Sequence, residues 1–420
     1  MTTKRDTRGS GSKANDTATV RYEAFAIVAP GLAPLAAEEL AALGIPPVSV
    51  EAAGVEFATD QSGLARANLH LRTVSRVLVR VDEFRAATFH ELEKRTARID
   101  WGRWLEPGRD VSLRVTCRKS RLYHSGAVAQ RVAAQLAPAA GRVSTGGAAP
   151  DGTGTDETDD DGDAQLLVVR IHHDRCTISL DSSGALLHQR GYRREAGKAP
   201  LRETLGAALL LASGWVPGAP LVDPFCGSGT LAIEGALLAR GMAPGRLRGF
   251  AFERWPGHDA EMMGRIRQKA ATRETASVPG MIVASDRDAG VIAAARENAE
   301  RAGVAADIHF DVRAVSSLAL PAEVTGVGSV VTNPPYGVRV GEAGELRNLY
   351  ARTGAVLRTV CPGWTLALVS ADRRLVGELG IPLVDRLRTS NGGLPVTFAT
   401  GEIPAPQTAQ LFSASERSTR

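Results

Sequence analysis

An α/β protein, with a mostly parallel sheet in its C-terminal half and a separate front half of strands and helices, is what three features of the 420-residue sequence predict. From Arg190 onward, short apolar strands alternate with longer Ala- and Leu-rich helices, the pattern of helices crossing between parallel strands. Within that half, residues 221–239 (LVDPFCGSGTLAIEGALLA) place a glycine-bearing turn between an apolar strand and an apolar helix, where open sheets of this kind bind ligands. The length itself exceeds one compact domain and predicts two or three folding units.

Taken in order, residues 1–19 are polar and charged without periodic apolar positions, and are expected to form a disordered tail. Order is expected from Tyr22, where YEAFAIVA reads as a strand, followed by a helix in PGLAPLAAEELAALG that stops at a glycine. RVLVRVDEF (76–84) and DVSLRVTCRKS (110–120) read as strands, with a helix from Thr88 to Ile99 between them. Ser125 to Leu136 reads as a helix, with Val128, Val132 and Leu136 on one face, Ser125 as N-cap and Pro138 as the stop. Residues 143–163 hold Gly, Thr and Asp without core residues and are expected to be a disordered insertion inside one domain. Strands resume at QLLVVRIHH and CTISLDSS, and a boundary is expected within Gly184–Pro200.

Composition excludes several classes. No stretch approaches the roughly 20 apolar residues of a spanning helix, and the polar N-terminus lacks the apolar core of a secretory signal. Four scattered cysteines (Cys117, Cys176, Cys226, Cys361) without a CxxC pair argue against a disulfide framework or a zinc site, so no metal is expected and the cytoplasm is the expected compartment. Residues 151–163 contribute seven acidic side chains and no basic one; without those seven charges the net charge rises from +4 to +11. A body that basic suits a polyanion such as nucleic acid, although abundant Arg with scarce Lys also fits a GC-rich coding sequence.

Three motifs carry the chemistry. In DPFCGSGT, Asp223 ends the strand, Phe225 follows, Gly227 and Gly229 let the backbone pass close to a ligand, and Thr230 opens the helix; the spacing is neither GxGxxG nor a Walker loop. In MIVASDRDAG, a second strand ends at Asp286, where a carboxylate can accept from two ribose hydroxyls; Asp286 or Asp288 could equally cap the next helix. In SVVTNPPYG, a strand runs into Asn333, Pro334, Pro335 and Tyr336, whose side-chain and carbonyl oxygens suit an exocyclic amine while the ring offers a stacking face. A proline-rich turn with a structural Asn is the plain alternative.

In this order the motifs resemble the class I S-adenosylmethionine-dependent methyltransferases that modify exocyclic amines. With LLHQRGYRREAGKAPLRETLGAALL, FAFERWPGHD, GVRVGEAGELRNLY and SNGG, and with ANLHLRTVSRVLVRVDEF, IDWGRWL and RKSRLYHSGAVAQRV in front, the chain is similar to the THUMP-containing RNA guanine-N2 methyltransferases over roughly residues 22–403. The resemblance implies a Rossmann-like methyltransferase domain at 185–403 with a mixed, mostly parallel sheet. Before it would come an α+β ferredoxin-like part at 20–72 and a THUMP domain at 73–184, and after it a flexible tail at 404–420.

It also implies S-adenosylmethionine as cofactor, with Asp223, Phe225, Gly227, Gly229, Thr230 and Asp286 around it. Asn333 and the Pro334 carbonyl would hold the guanine amine under Tyr336. The expected partner is ribosomal or transfer RNA, contacted by Arg114, Arg118, Lys119, Arg121 and Tyr123, a mix suited to phosphates and stacking. Where the family usually has an acidic residue after the third strand, this sequence has Ala314, with Asp311 three residues earlier. The expected mechanism is direct in-line transfer by placement and hydrogen-bond acceptance, with Cys226 a spectator. A DNA or protein-glutamine amine methylase, and a non-catalytic RNA-binding assembly factor, are the alternatives.

Overall fold

The computed structural model describes residues 21–146, 163–194, 201–336 and 343–406. The terminal tail expected at 1–19, residues 407–420 of the tail expected at 404–420, and most of the acidic insertion lie outside the described residues.

The front half is built from β1 (Tyr22–Val28), α1 (Ala33–Ala42), β2 (Pro47–Glu51), β3 (Gly54–Thr59), α2 (Gln61–His70), β4 (Val74–Arg85), α3 (Phe89–Thr96), β5 (Val111–Arg118), α4 (Ser125–Leu136), β6 (Val143–Thr145), β7 (Gln165–His172) and β8 (Arg175–Asp181). These strands form one sheet in the order β2-β3-β1-β4-β8-β7-β5-β6. The seam expected at 72/73 falls at the entry to β4, and β4 pairs with β1 on one side and β8 on the other, so the two expected front units share a single continuous sheet. Helix starts follow local chemistry: Asp60 accepts from the Gly63 N–H at 2.7 Å, and Thr88 and Glu91 form a capping box at α3.

Two local expectations are corrected. The cap of α4 is His124, whose ring nitrogen accepts from the Ala127 N–H, and Ser125 is the first helical residue. The insertion begins later than residue 143, because Val143–Thr145 pairs in parallel with Val111–Leu113. At its other end Asp163 makes an ion pair with Arg254.

The C-terminal half contains α5 (Glu203–Ala212), β9 (Leu221–Asp223), α6 (Thr230–Ala239), α7 (Ala260–Ala271), β10 (Ile282–Asp286), α8 (Ala289–Ala302), β11 (Ile308–Val312), β12 (Ser329–Thr332), α9 (Ala343–Val360), β13 (Thr365–Ser370), α10 (Arg373–Glu378), β14 (Val384–Asn391) and β15 (Leu394–Glu402). Its sheet runs β11-β10-β9-β12-β13-β15-β14, with β15 antiparallel to both neighbours. This is the mixed, mostly parallel Rossmann-like arrangement, and it sets the ends of β9, β10 and β12 side by side on one edge. α5 and α6 are buried along most of their length, which explains why they are apolar all round.

A buried polar seam joins the halves. The Arg72 guanidinium donates to the Met242 carbonyl at 2.6 Å, and Arg190 donates to the Arg72 carbonyl at 2.6 Å while facing Glu234 of α6. Tyr192 donates to the same Glu234 carboxylate at 3.2 Å. Each of these charges has a partner, as burial at this depth requires.

Candidate active site

The edge where β9, β10 and β12 end gathers the three motifs. Asp223 is only 2% exposed; its Oδ1 accepts from the Thr332 hydroxyl at 2.6 Å and from the Phe225 N–H at 3.2 Å. Burial pushes its carboxyl up to about 7, against the lowering effect of those two hydrogen bonds. Asp286 ties the first two motifs together, since Oδ2 accepts from the Gly227 N–H at 3.2 Å and Oδ1 from the Asp288 N–H at 3.1 Å. Asp288, and not Asp286, caps α8.

Gly227 and Gly229 both have left-handed backbones, with φ of 53° and 87°. A Cβ on Gly229 would lie 3.1 Å from that of Ala295, whereas one on Gly227 would meet nothing within 4 Å. Gly229 is thus shaped by packing against α8, and Gly227 borders open space suited to a ligand. The Ser228 carbonyl is held by the Asn298 amide at 3.1 Å, and Asn298 is oriented by Arg301 at 2.6 Å. Neither residue was expected from the sequence, because a buried Asn inside a helix has no distinctive spacing. The Thr230 hydroxyl is engaged by Arg193 and by the Leu201 carbonyl, so Thr230 serves the turn through its place at the start of α6.

The Asn-Pro-Pro-Tyr turn leaves β12 beside Asp223. Asn333 Oδ1 is buried and has no hydrogen-bond partner, an acceptor left open. The Tyr350 hydroxyl donates to the Pro335 carbonyl at 3.3 Å, and Phe225, Thr332, Pro334 and Tyr350 line one small cavity. Burial raises the Tyr336 phenol above its ordinary value. Cys226 is buried and its thiol is pushed well above the ordinary value by burial, with Asp223 and Asp286 adding to the effect, so it lacks the thiolate that covalent attack needs. Asp311 is paired with Arg313 at 2.6 Å, and Ala314 precedes a short 3-10 turn.

Of the RNA-contact candidates, Arg118, Lys119, Arg121 and Tyr123 gather at one tip of the front sheet, where Tyr123 is 78% exposed. Arg114 stands apart on β5, next to Gly146 at the root of the acidic insertion. The register adds residues the sequence did not single out: Arg170 and His172 of β7 pair with Thr116 and Arg118. Among the described residues, the non-glycine residues with left-handed backbone are Lys119, His173 and Asp174, all at this tip. Asp174 holds it together by accepting from the Arg121 N–H at 2.8 Å and by donating its own N–H to the Ser120 hydroxyl oxygen.

Residues 190–390 match the RMKL-like methyltransferase domain, and residues 23–78 match the RlmL ferredoxin-like domain. A protein of Synechocystis sp. named as a candidate RNA methyltransferase is 34% identical over 385 residues, covering 90% of this chain and 96% of that one. The chain belongs to this family of S-adenosylmethionine-dependent methyltransferases. The ribosomal RNA large subunit methyltransferase K/L of Syntrophotalea carbinolica is 37% identical over 383 residues, but this chain spans only 52% of its length. Among solved structures, a Clostridium difficile protein named as a candidate methylase is 31% identical with a TM-score of 0.79, covering 93% of this chain and 99% of its own. SMU.472, named as a candidate methyltransferase and complexed with S-adenosylhomocysteine, is 26% identical with a TM-score of 0.78, covering 92% of this chain and 99% of its own. Among the described residues, no group of His, Cys, Asp or Glu could hold a metal ion, and no helix is long and apolar enough to cross a membrane.

Proposed function

We propose that this chain methylates the 2-amino group of a guanosine in structured RNA, ribosomal or transfer, with S-adenosylmethionine as the donor. The observation that carries the reading is Asn333 Oδ1: a buried acceptor without a partner, next to a buried carboxylate, at the ligand edge of the sheet. The open space at Gly227 and the fixed Asp286 carboxylate suit a nucleoside, and Asp223 suits the ammonium of the methionine part. When bound, S-adenosylmethionine supplies an electrophilic methyl group.

This chain's residues then do the placement. Asn333 Oδ1 and the Pro334 carbonyl accept the two amine hydrogens, which turns the nitrogen lone pair out of conjugation and aims it along the line of attack. Tyr336 stacks on the base. Both hydrogens stay on the nitrogen, held by these acceptors, through the transition state, and one leaves as a proton to solvent once the methyl group has been transferred. A target inside a helix must be flipped out to reach Asn333. The front half, with the expected THUMP fold and the basic tip at Arg118 to Tyr123, supports capture of RNA, in keeping with the names of the relatives.

A relative from Listeria monocytogenes, 31% identical with a TM-score of 0.75, is named as a candidate N6-adenine-specific DNA methylase, which keeps that chemistry as the second reading. Incubation of the purified protein and labelled donor with RNA, and separately DNA, from cells lacking the gene decides between them. N2-methylguanosine in RNA digests is the expected product. Label in DNA adenine would overturn the reading.

A further inference from the structure

Asn391 lies at the tip of the β14–β15 hairpin and donates from its amide nitrogen to the Tyr336 hydroxyl oxygen at 3.3 Å. We propose that Asn391 is a positioning residue for the methylation reaction, anchoring the Tyr336 ring at the angle in which it stacks on the target base. The inference rests on the function proposed above and adds to it an element far along the chain from the Asn-Pro-Pro-Tyr turn.

The anchor is fixed at its own end. Asn391 pairs with Leu394, and the two residues between them, Gly392 and Gly393, have φ of 56° and 78°. Two successive left-handed residues make a tight two-residue hairpin turn that leaves little slack at the tip. From there the register runs without interruption toward the site: β15 pairs with β13 through Thr397 and Ser370, and β13 pairs with β12 through Leu368 and Thr332, the residue before Asn333. Asn391 is therefore held in the same sheet as Asn333 while gripping the last residue of the motif.

A Cβ added to Gly392 or Gly393 would meet nothing within 4 Å, so the tip that carries Asn391 borders open space. The catalytic turn is thus clamped twice, by Tyr350 on the Pro335 carbonyl and by Asn391 on the Tyr336 phenol. The second clamp acts on the ring that stacks on the base. Because the phenol oxygen accepts from the amide, its own hydrogen stays available to a substrate atom.

The test is a double-mutant cycle in single-turnover methylation of RNA from cells lacking the gene. Asn391→Ala and Tyr336→Phe are each expected to lower the rate by about 5- to 20-fold, with the melting temperature and S-adenosylhomocysteine affinity unchanged. The double variant is expected to be no slower than the slower single one. Asn391→Asp, which can accept the phenol hydrogen, is expected to restore most of the rate, and to lose it again with Tyr336→Phe. Additive effects, or a wild-type rate for Asn391→Ala, would overturn the proposal.

A second readout does not depend on methylation. With tyrosine labelled at the ring carbon bearing oxygen, Asn391→Ala should move the Tyr336 signal, identified by its disappearance in Tyr336→Phe, out of the five tyrosine signals. If the wild-type protein methylates no RNA, the proposed function fails, and an unmoved Tyr336 signal then separately refutes the anchor.

Discussion

Asp223 ends β9 and Asn333 follows the end of the neighbouring β12, and each is left in a state that a ligand would complete. Asp223 has a folded value of about 7, above that of an ordinary carboxyl. The stability tied to its protonated form is therefore full below about pH 4 and lost as pH rises through about 7. A cationic ammonium reverses the preference, since it stabilises the carboxylate. Calorimetry should then show S-adenosylhomocysteine binding up to ~10-fold tighter at about pH 8 than at about pH 6, while Asp223→Asn binds weakly and without that slope. Asn333→Ala should leave cofactor affinity within a few fold and reduce single-turnover methylation by at least ~100-fold, the usual effect of removing one preorganised polar group. These residues were legible in the sequence because strand-end carboxylates and an Asn-Pro-Pro-Tyr turn are local patterns. Asn298, and the role of Asn391 within SNGG, were not, since the groups they serve lie 70 and 55 residues away and nothing in their spacing announces the pairing.

At the scale of the element, the turn between β9 and α6 shows how two glycines with similar backbone angles do different work. Gly229→Ala faces both a left-handed backbone and the Ala295 Cβ 3.1 Å away, and should destabilise the protein by roughly 1–3 kcal/mol in urea unfolding. Gly227→Ala adds only the backbone strain, yet it fills the space beside Asp286, so its larger effect should be on S-adenosylhomocysteine affinity. The order of helices and strands was readable from apolar periodicity, and the ends of β9 and β10 fell where the sequence put them. Caps were less legible: His124 took the role assigned to Ser125, because which side chain folds back onto the first turn depends on the chain's entry angle.

Across the whole molecule, catalytic and RNA-contact candidates occupy separate sheets. Replacing Arg118, Lys119 and Arg121 together should weaken RNA binding and flatten the dependence of log K on log salt by up to ~0.7–0.9 for each phosphate no longer neutralised, with S-adenosylhomocysteine affinity unchanged. Filter binding at several salt concentrations measures this, and an unchanged slope would place RNA elsewhere. The sequence marked these residues through their clustering on and after one strand, but Arg170 and His172 joined them only through a parallel register that no local pattern encodes.

The single front sheet also bears on how the chain is made. β4 finds its first partner, β1, in residues already synthesised, but its other edge waits for β8, about 90 residues downstream. At roughly 5–20 residues per second, a ribosome needs about 5–20 s to deliver that strand. Throughout that interval the nascent polypeptide carries an unpaired row of amide and carbonyl groups alongside Val77 and Val79, a template for pairing with a neighbouring chain. Slower elongation between residues 85 and 175 should therefore lower soluble yield, while the same slowing after residue 181 should not.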